Sequence, residues 1–141
     1  MSDISVLFYS RGGNTRKVAD AIAGELGVKA ADVKSSPSIG SRITFLGSGI
    51  YAGKLGDDMA KFVESGNFTG CKMAIFYTCM NPHGNQKAMD AMTSTLKQKG
   101  ATVLGIYYCK GKTFVLFNRG HPNKEDLDNA KKFAREMLKL I

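Results

Sequence analysis

The stretch that decides the fold is residues 4–15, which read ISVLFYSRGGNT. Its first half, Ile4–Tyr9, is a nearly continuous run of β-branched, aliphatic and aromatic residues, which predicts a strand covered on both faces. Its second half, Ser10–Thr15, is a short polar loop with two glycines. Val18, Ile22 and Leu26 then recur at helical spacing, so we expect an amphipathic helix directly after the loop. This order is typical of a parallel α/β sheet.

The same pattern repeats along the chain and predicts five strands separated by helices. The predicted strands are Ile4–Tyr9, Ala31–Lys34, Arg42–Leu46, Met73–Tyr77 and Thr102–Cys109. The later helices carry apolar stripes, with Met59, Phe62 and Val63 in the second, Met89, Met92 and Leu96 in the third, and Leu127, Ala130, Ala134, Met137 and Ile141 in the last. Methionines in such stripes are interpreted as core packing rather than as a binding groove.

Capping residues mark where each predicted helix begins. They are Asn14 or Thr15, Asp57, Asn85 and Asn123. One link is irregular, because Ser35–Ser41 is too short for a crossover helix and predicts a turn or a single helical turn. The fold class is therefore a doubly wound α/β fold, and we expect one domain over residues 1–141.

Composition sets limits on the class of protein. The chain has 141 residues, of which 43% are hydrophobic and 23% charged, so disordered and fibrous classes are excluded. Its longest apolar runs are too short for a membrane span, and it begins without a signal-peptide pattern, so a cytoplasmic location is expected. The three cysteines and two histidines have neither disulfide nor metal-ligand spacing.

The net charge of +8 is unevenly distributed. Residues 71–141 hold twelve basic and five acidic side chains, whereas residues 1–70 hold eight and seven. A nucleic-acid surface is one interpretation. A solvated basic face is favoured over it, because aromatic residues are not interleaved with the lysines and no nucleic-acid-binding motif is present.

The loop Ser10-Arg11-Gly12-Gly13-Asn14-Thr15 predicts an anion site. Glycines let backbone N–H groups turn towards a ligand, short polar side chains add donors, and a helix N-terminus adds its positive dipole end. The loop is neither G-x-G-x-x-G nor a P-loop ending in Gly-Lys-Ser/Thr. It therefore suits a phosphomonoester that is held rather than transferred. An ordinary glycine-rich turn is the simpler alternative.

Two further loops follow predicted strands, where ligands bind in such sheets. In the first, Gly49 and Gly53 bracket Ile50, Tyr51 and Ala52. The tyrosine offers a flat face against which a planar ring stacks. The alternative is a surface-packed tyrosine.

The second of these loops follows the fourth predicted strand. Its candidate binding residues are Thr78, Cys79, Met80, Asn81, His83 and Gly84. They supply polar groups for the other side of a ring. Cys79 with His83 as its base is a possible nucleophile pair, but no third orienting group is identifiable, so this hypothesis ranks low.

These three loops on a chain of this length resemble the flavodoxin family. Tyr9-Ser10-Arg11-Gly12-Gly13-Asn14-Thr15 is similar to the family's FMN phosphate loop, Thr/Ser-x-Thr/Ser-Gly-Asn-Thr, with Gly12 in place of a hydroxyl residue. The resemblance implies a three-layer sandwich around a five-stranded parallel sheet of order 2-1-3-4-5. It also implies non-covalent FMN, with Gly49–Gly53 and Thr78–Gly84 on the two sides of its ring.

The resemblance further implies electron transfer between redox partners, with no catalytic side chain. Typical flavodoxins are acidic, whereas this chain is basic, so its redox partner is expected to present an acidic docking face. Because the loop after the fourth strand lacks an aromatic residue, a small FMN-dependent oxidoreductase acting on a quinone, porphyrinogen or similar planar substrate is the alternative. A non-redox binding module for nucleic acid or an acidic protein is the third hypothesis.

The segment Lys110–Pro122 follows the fifth predicted strand and contains the apolar run Thr113–Phe117. An extra strand, a lid over the cofactor and a dimer contact are all compatible with it, and the structural uses are favoured. His121, before Pro122, is expected to shape the approach to the last helix.

Overall fold

A parallel sheet forms the centre of the molecule, with helices on both faces. The computed structural model describes residues 3–35, 37–51, 54–79, 86–110 and 121–141. In chain order the elements are β1 (Ile4–Tyr9), α1 (Asn14–Leu26), β2 (Ala30–Asp32), a 3₁₀ turn (Val33–Ser35), β3 (Ile43–Tyr51), β4 (Lys54–Leu55), α2 (Asp57–Ser65), β5 (Lys72–Cys79), α3 (Gln86–Gln98), β6 (Thr102–Lys110) and α4 (Lys124–Leu138).

The strands other than β4 lie in the order β2-β1-β3-β5-β6 and pair in parallel. Counted without β4, this is the order 2-1-3-4-5, so the predicted flavodoxin-like sheet is confirmed. The short β4 was not predicted. It pairs antiparallel with the end of β3, where Tyr51 faces Lys54. The reversal of strand order lies between β1 and β3, the position at which doubly wound sheets bind ligands.

Side chains of β1 alternate between two cores. Leu7 and Tyr9 pack on the face covered by α2 and α3. Val6 and Phe8 pack on the other face, with α1 and α4. The strand is therefore buried on both sides, as its continuous apolar run predicted. The predicted helical stripes lie in these two cores, including the methionines of α2 and α3.

Several strand ends differ from the prediction. The second strand is Ala30–Asp32 and not Ala31–Lys34, because the Asp32 carboxylate accepts the Lys34 N–H at 2.9 Å where the chain turns into the 3₁₀ helix. The third strand runs to Tyr51 rather than ending at Leu46, and the fourth continues through Thr78 to Cys79. Glycines in the third strand were interpreted as loop residues, but Gly47 lies beside the Phe76 ring of β5, where a Cβ would come within 2.0 Å of it. The chain therefore has a glycine at this position because the neighbouring Phe76 ring needs the space, and not because the chain turns there.

Two of the predicted helix caps were wrong by a residue or two. Asn14 and Asp57 are the first residues of α1 and α2, and glycines occupy both N-cap positions. Gly13 has φ +92°, a left-handed conformation that strains other residues. At Gly56 a Cβ would meet the Tyr9 ring at 2.2 Å. Backbone shape and packing therefore decide these caps. Asn85 lies outside the described residues.

The cap of α4 is confirmed. Asn123 accepts a hydrogen bond from the Asp126 N–H at 2.8 Å, and the Asp126 carboxylate accepts from the Asn123 N–H at 2.8 Å. The same carboxylate oxygen lies 2.6 Å from His121 Nδ1, so His121 does shape the approach to this helix. The irregular link after β2 contains one helical turn, Val33–Ser35, earlier than predicted. In the described part of the chain no helix is long and apolar enough to cross a membrane.

Substituting Gly47→Ala should destabilise the protein by about 1–3 kcal/mol, because the new Cβ overlaps the Phe76 ring. Urea unfolding measures the change. Gly24→Ala on α1 is the matched control, since nothing lies within 4 Å of its added Cβ and alanine favours the helix. Equal stability of the two variants would contradict this account of β3.

Candidate functional site

The sheet brings the three predicted loop regions to one edge. In the register of the strands, Tyr9 of β1 lies beside Ser48 of β3, and Gly49 lies beside Thr78 of β5. These pairs are at or near the carboxyl ends of three neighbouring strands. The loop after β1, the end of β3 and the end of β5 therefore share one side of the molecule, which we call the carboxyl edge.

The loop after β1 forms a concave, donor-rich turn at the start of α1. The Gly13 N–H donates to Ser10 Oγ at 3.0 Å, which closes the turn. A Cβ added at Gly12 or Gly13 would find nothing within 4 Å, so the loop backbone is sterically open. The first turn of α1 carries no acidic residue. An amide- and hydroxyl-lined loop at a positive helix end fits a phosphate group.

Tyr51 lies against this loop. Its hydroxyl accepts a hydrogen bond from the Arg11 N–H at 2.9 Å, across 40 residues of sequence. The Arg11 guanidinium carbon lies 4.2 Å from the centre of the Tyr51 ring, in cation–π contact. The structure thus brings together the predicted phosphate loop and the predicted ring-stacking residue.

Burial raises the pKa of the Tyr51 phenol, although the Arg11 N–H opposes this shift. The side chain folds back over Gly49, where a Cβ would come within 2.4 Å of the hydroxyl. The half-buried Tyr51 is therefore a neutral phenol at physiological pH. Tyr51 packs against the loop after β1, and its stacking on a planar ring stays a prediction.

Thr15 and Thr78 join the helix to the sheet. Their hydroxyl oxygens are 2.7 Å apart, and both residues are buried, with 0% and 3% of their surface exposed. This hydrogen bond fixes the start of α1 against the end of β5. The Thr15 hydroxyl, predicted as a donor of the phosphate loop, is here bonded to the sheet.

Two of the three cysteines, Cys79 and Cys109, lie in environments that disfavour reactivity. Cys79 is 4% exposed at the end of β5, and burial raises the pKa of Cys109 to about 12. A thiol needs both access and a low pKa to act as a nucleophile. Among the described residues, no group of His, Cys, Asp or Glu is arranged to hold a metal ion.

Several predicted binding residues lie outside the described part of the chain. They are Ala52, Gly53, Met80, Asn81, His83 and Gly84. Of the segment Lys110–Pro122, only Lys110, His121 and Pro122 are described. Asn14 is the first residue of α1, and Ile50 is buried in β3 with 8% of its surface exposed.

The sequence interpretation missed two residues that hold Arg11. The Tyr9 hydroxyl accepts from Arg11 Nε at 3.5 Å, and the Tyr9 ring meets the Tyr51 ring edge-on at 6.3 Å. Asp57, at the start of α2, lies 3.7 Å from the guanidinium. Tyr9 is the last residue of the first apolar run, and Asp57 was interpreted only as a cap, so neither had a sequence signal for contact with Arg11.

The carboxyl edge carries charges of both signs. Three of the four ion pairs made by Lys or Arg among the described residues are near this edge: Arg11–Asp57, Arg16–Asp20 and Lys34–Asp58. Four other cations at this edge make no ion pair with a described residue: Lys54, Lys87, Lys110 and Lys124. At the opposite edge the same holds for Lys29, Arg42, Lys72, Lys97, Lys99 and Lys139. The basic excess of the chain is therefore present at both edges of the sheet.

The fold and site define a doubly wound α/β protein with a glycine-rich loop at a helix start and an aromatic residue beside it. A family model described as a flavodoxin domain matches residues 5–115. An uncharacterized protein of Methanocaldococcus jannaschii is 36% identical over an alignment of 136 residues that covers 89% of this chain and 91% of that protein. The chain belongs to the flavodoxin family.

Solved structures agree with this assignment. Oxidised flavodoxin 1 from Bacillus cereus is 26% identical, matches with a TM-score of 0.76 and covers 99% of both chains. A flavodoxin from the domain Archaea matches with a TM-score of 0.73 at 19% identity over 96% of both chains, which shows the shared fold. The cofactor of the family is FMN, as the resemblance implied. The loop at 10–15 has the donors to hold its phosphate group.

Replacing one partner of the Thr15–Thr78 pair should cost more than replacing both. Thr15→Val leaves the buried Thr78 hydroxyl without its partner and should destabilise the protein by about 1–3 kcal/mol. The double variant Thr15→Val with Thr78→Val removes both groups and should recover part of that loss. Chemical unfolding of the three variants measures the coupling, and strictly additive effects would contradict it.

Proposed function

We propose that this protein is an FMN-dependent electron carrier that passes electrons between redox partners. The observation that carries the proposal is the joining of the phosphate loop to a ring residue through the Arg11–Tyr51 hydrogen bond. That contact places the predicted phosphate loop directly beside the aromatic ring of Tyr51. FMN has a phosphate and a planar ring, and when bound it supplies the redox chemistry.

The chain's own residues bind and orient the cofactor in this proposal. The loop at 10–15 holds the phosphate, Tyr51 contacts the ring, and Gly49 and Thr78 line the adjacent strand ends. The described cysteines at this edge and in β6 are buried. The role of this chain is then positioning and electrostatics, and no side chain needs to form a covalent intermediate.

The partner is proposed to approach with an acidic face. The net charge of +8 produces a positive field that speeds the encounter with acidic molecules. Ion pairing at the carboxyl edge makes the local charge mixed. We therefore assign the basic excess, which lies at both edges of the sheet, a long-range role in the encounter.

Fluorescence titration of apoprotein with FMN, and with riboflavin as comparison ligand, tests cofactor recognition. FMN should bind much more tightly than riboflavin, because only FMN offers a phosphate to the loop. Gly13→Ala should weaken FMN binding by straining a residue at φ +92° within the loop. Gly27→Ala is the matched control, since Gly27 has φ +71° at the far end of α1. Equal affinity for the two flavins would overturn the proposal.

Oxidation of the reduced holoprotein by small one-electron acceptors tests the electrostatic part. Oxidation by the anion ferricyanide should slow several-fold as salt rises from about 10 to 300 mM, whereas oxidation by cationic hexaammineruthenium should speed up. Stopped-flow absorbance measures both rates. The opposite salt dependence would rule out a positive field at the cofactor. Steady turnover of a quinone with NADPH would instead favour the enzyme hypothesis.

A further inference from the structure

The phosphate loop has an unusual set of hydroxyl groups. Ser10 contributes one, whose oxygen accepts the Gly13 N–H. The Thr15 hydroxyl is bonded to Thr78 in the core, and Gly12 has no side chain. The third hydroxyl comes from another strand, since Tyr51 Oη accepts the Arg11 N–H at 2.9 Å. The hydroxyl oxygens of Ser10 and Tyr51 therefore bind the loop in the same way, because each accepts a hydrogen bond from one of its backbone amides.

A hydroxyl that accepts an N–H still has its own proton to donate. Burial raises the pKa of the Tyr51 phenol, which keeps that proton in place. Among the described residues, none accepts a hydrogen bond from the Tyr51 hydroxyl. The phenol O–H is thus a donor held at the border of the phosphate loop by the Arg11 amide.

Other contacts hold the phenol in this position. The Arg11 guanidinium covers one face of the ring at 4.2 Å, and the Tyr9 ring meets it edge-on. A donor whose position is set in advance loses little entropy when it binds a ligand. The guanidinium brings a positive charge to the face of the Tyr51 ring, and Asp57, at 3.7 Å from it, partly compensates this charge.

We propose that the Tyr51 hydroxyl is a phosphate ligand of this site and supplies the side-chain donor that Gly12 lacks. The inference rests on the proposed FMN site and assigns Tyr51 a role in phosphate recognition in addition to ring contact. Tyr51 then determines specificity for phosphorylated over unphosphorylated flavin. The hydrogen bond to the Arg11 N–H orients the phenol for this role.

The test compares the dissociation constants of FMN and riboflavin in matched variants. Tyr51→Phe keeps the ring and removes the donor, so FMN affinity should fall about 3- to 10-fold, while riboflavin affinity stays unchanged. Tyr108→Phe is the control, because Tyr108 is 46% exposed on β6 and stacks on Tyr77 away from the loop. Circular dichroism and thermal unfolding verify that each variant is folded.

A rescue variant separates this role from a general disturbance of the site. A side chain at Gly12 meets nothing within 4 Å of its Cβ, so Gly12→Ser can add a hydroxyl within the loop. Combined with Tyr51→Phe, it should restore FMN affinity without changing riboflavin affinity. Gly12→Ala in the same background is its control and should not restore affinity.

Two results would overturn the inference. An increase in FMN affinity in Tyr51→Phe would show that the hydroxyl competes with phosphate for the Arg11 N–H. An equal loss for both flavins would show that Tyr51 acts only on the ring. Failure of the proposed function is distinct, because wild-type protein would then show no preference for FMN over riboflavin.

Discussion

Burial of β1 on both faces is the constraint on which the rest of the structure depends. Its side chains alternate between the core under α2 and α3 and the core under α1 and α4, so the strand cannot slip by one residue without exchanging both sets. With β1 fixed between β2 and β3, its carboxyl end has one position. The position of the loop at 10–15 follows from that of β1, and the loop leads directly into α1.

Contacts from neighbouring elements then shape the loop. Thr15 is tied to Thr78 of β5, and the Arg11 amide is tied to Tyr51 at the end of β3. Three parallel strands thus hold one turn, and each contact joins residues far apart in sequence. The hydrogen bond between the Arg11 N–H and Tyr51 thus joins the loop after β1 directly to the end of β3.

Local patterns were sufficient to predict much of this arrangement. Continuous apolar runs predicted the parallel strands, and helical stripes predicted the core faces of the helices. The anion site at 10–15, based on glycines before a helix start, stays a prediction. These features depend on residues close together in sequence. The capping box at Asn123 belongs to the same class, since both of its hydrogen bonds join Asn123 and Asp126.

The errors came from long-range packing. Gly47 appeared to end β3, but it accommodates Phe76 from a strand that follows about 30 residues later. Asp57 was predicted to cap α2, but Gly56 occupies the cap position and accommodates the Tyr9 ring. The contacts of Arg11 with Tyr9, Tyr51 and Asp57 were not predicted either, because a sequence pattern does not reveal which side chains meet across strands.

The positions of the charges on the fold show where the basic excess lies. Ion pairs compensate three Lys or Arg side chains near the carboxyl edge, and cations without an ion pair to a described residue occur at both ends of the strands. The basic excess is therefore not confined to one edge of the sheet.

The central claim is that FMN binds at the carboxyl edge with its phosphate on the loop after β1. Amide chemical-shift mapping of ¹⁵N-labelled apoprotein during an FMN titration tests it most directly. The account predicts the largest shifts at residues 11–15, followed by residues 49–51. Shifts centred on the groove of about 260 Å³ between α2 and α3, which Val63 and Met92 line, with the loop unaffected, would contradict it.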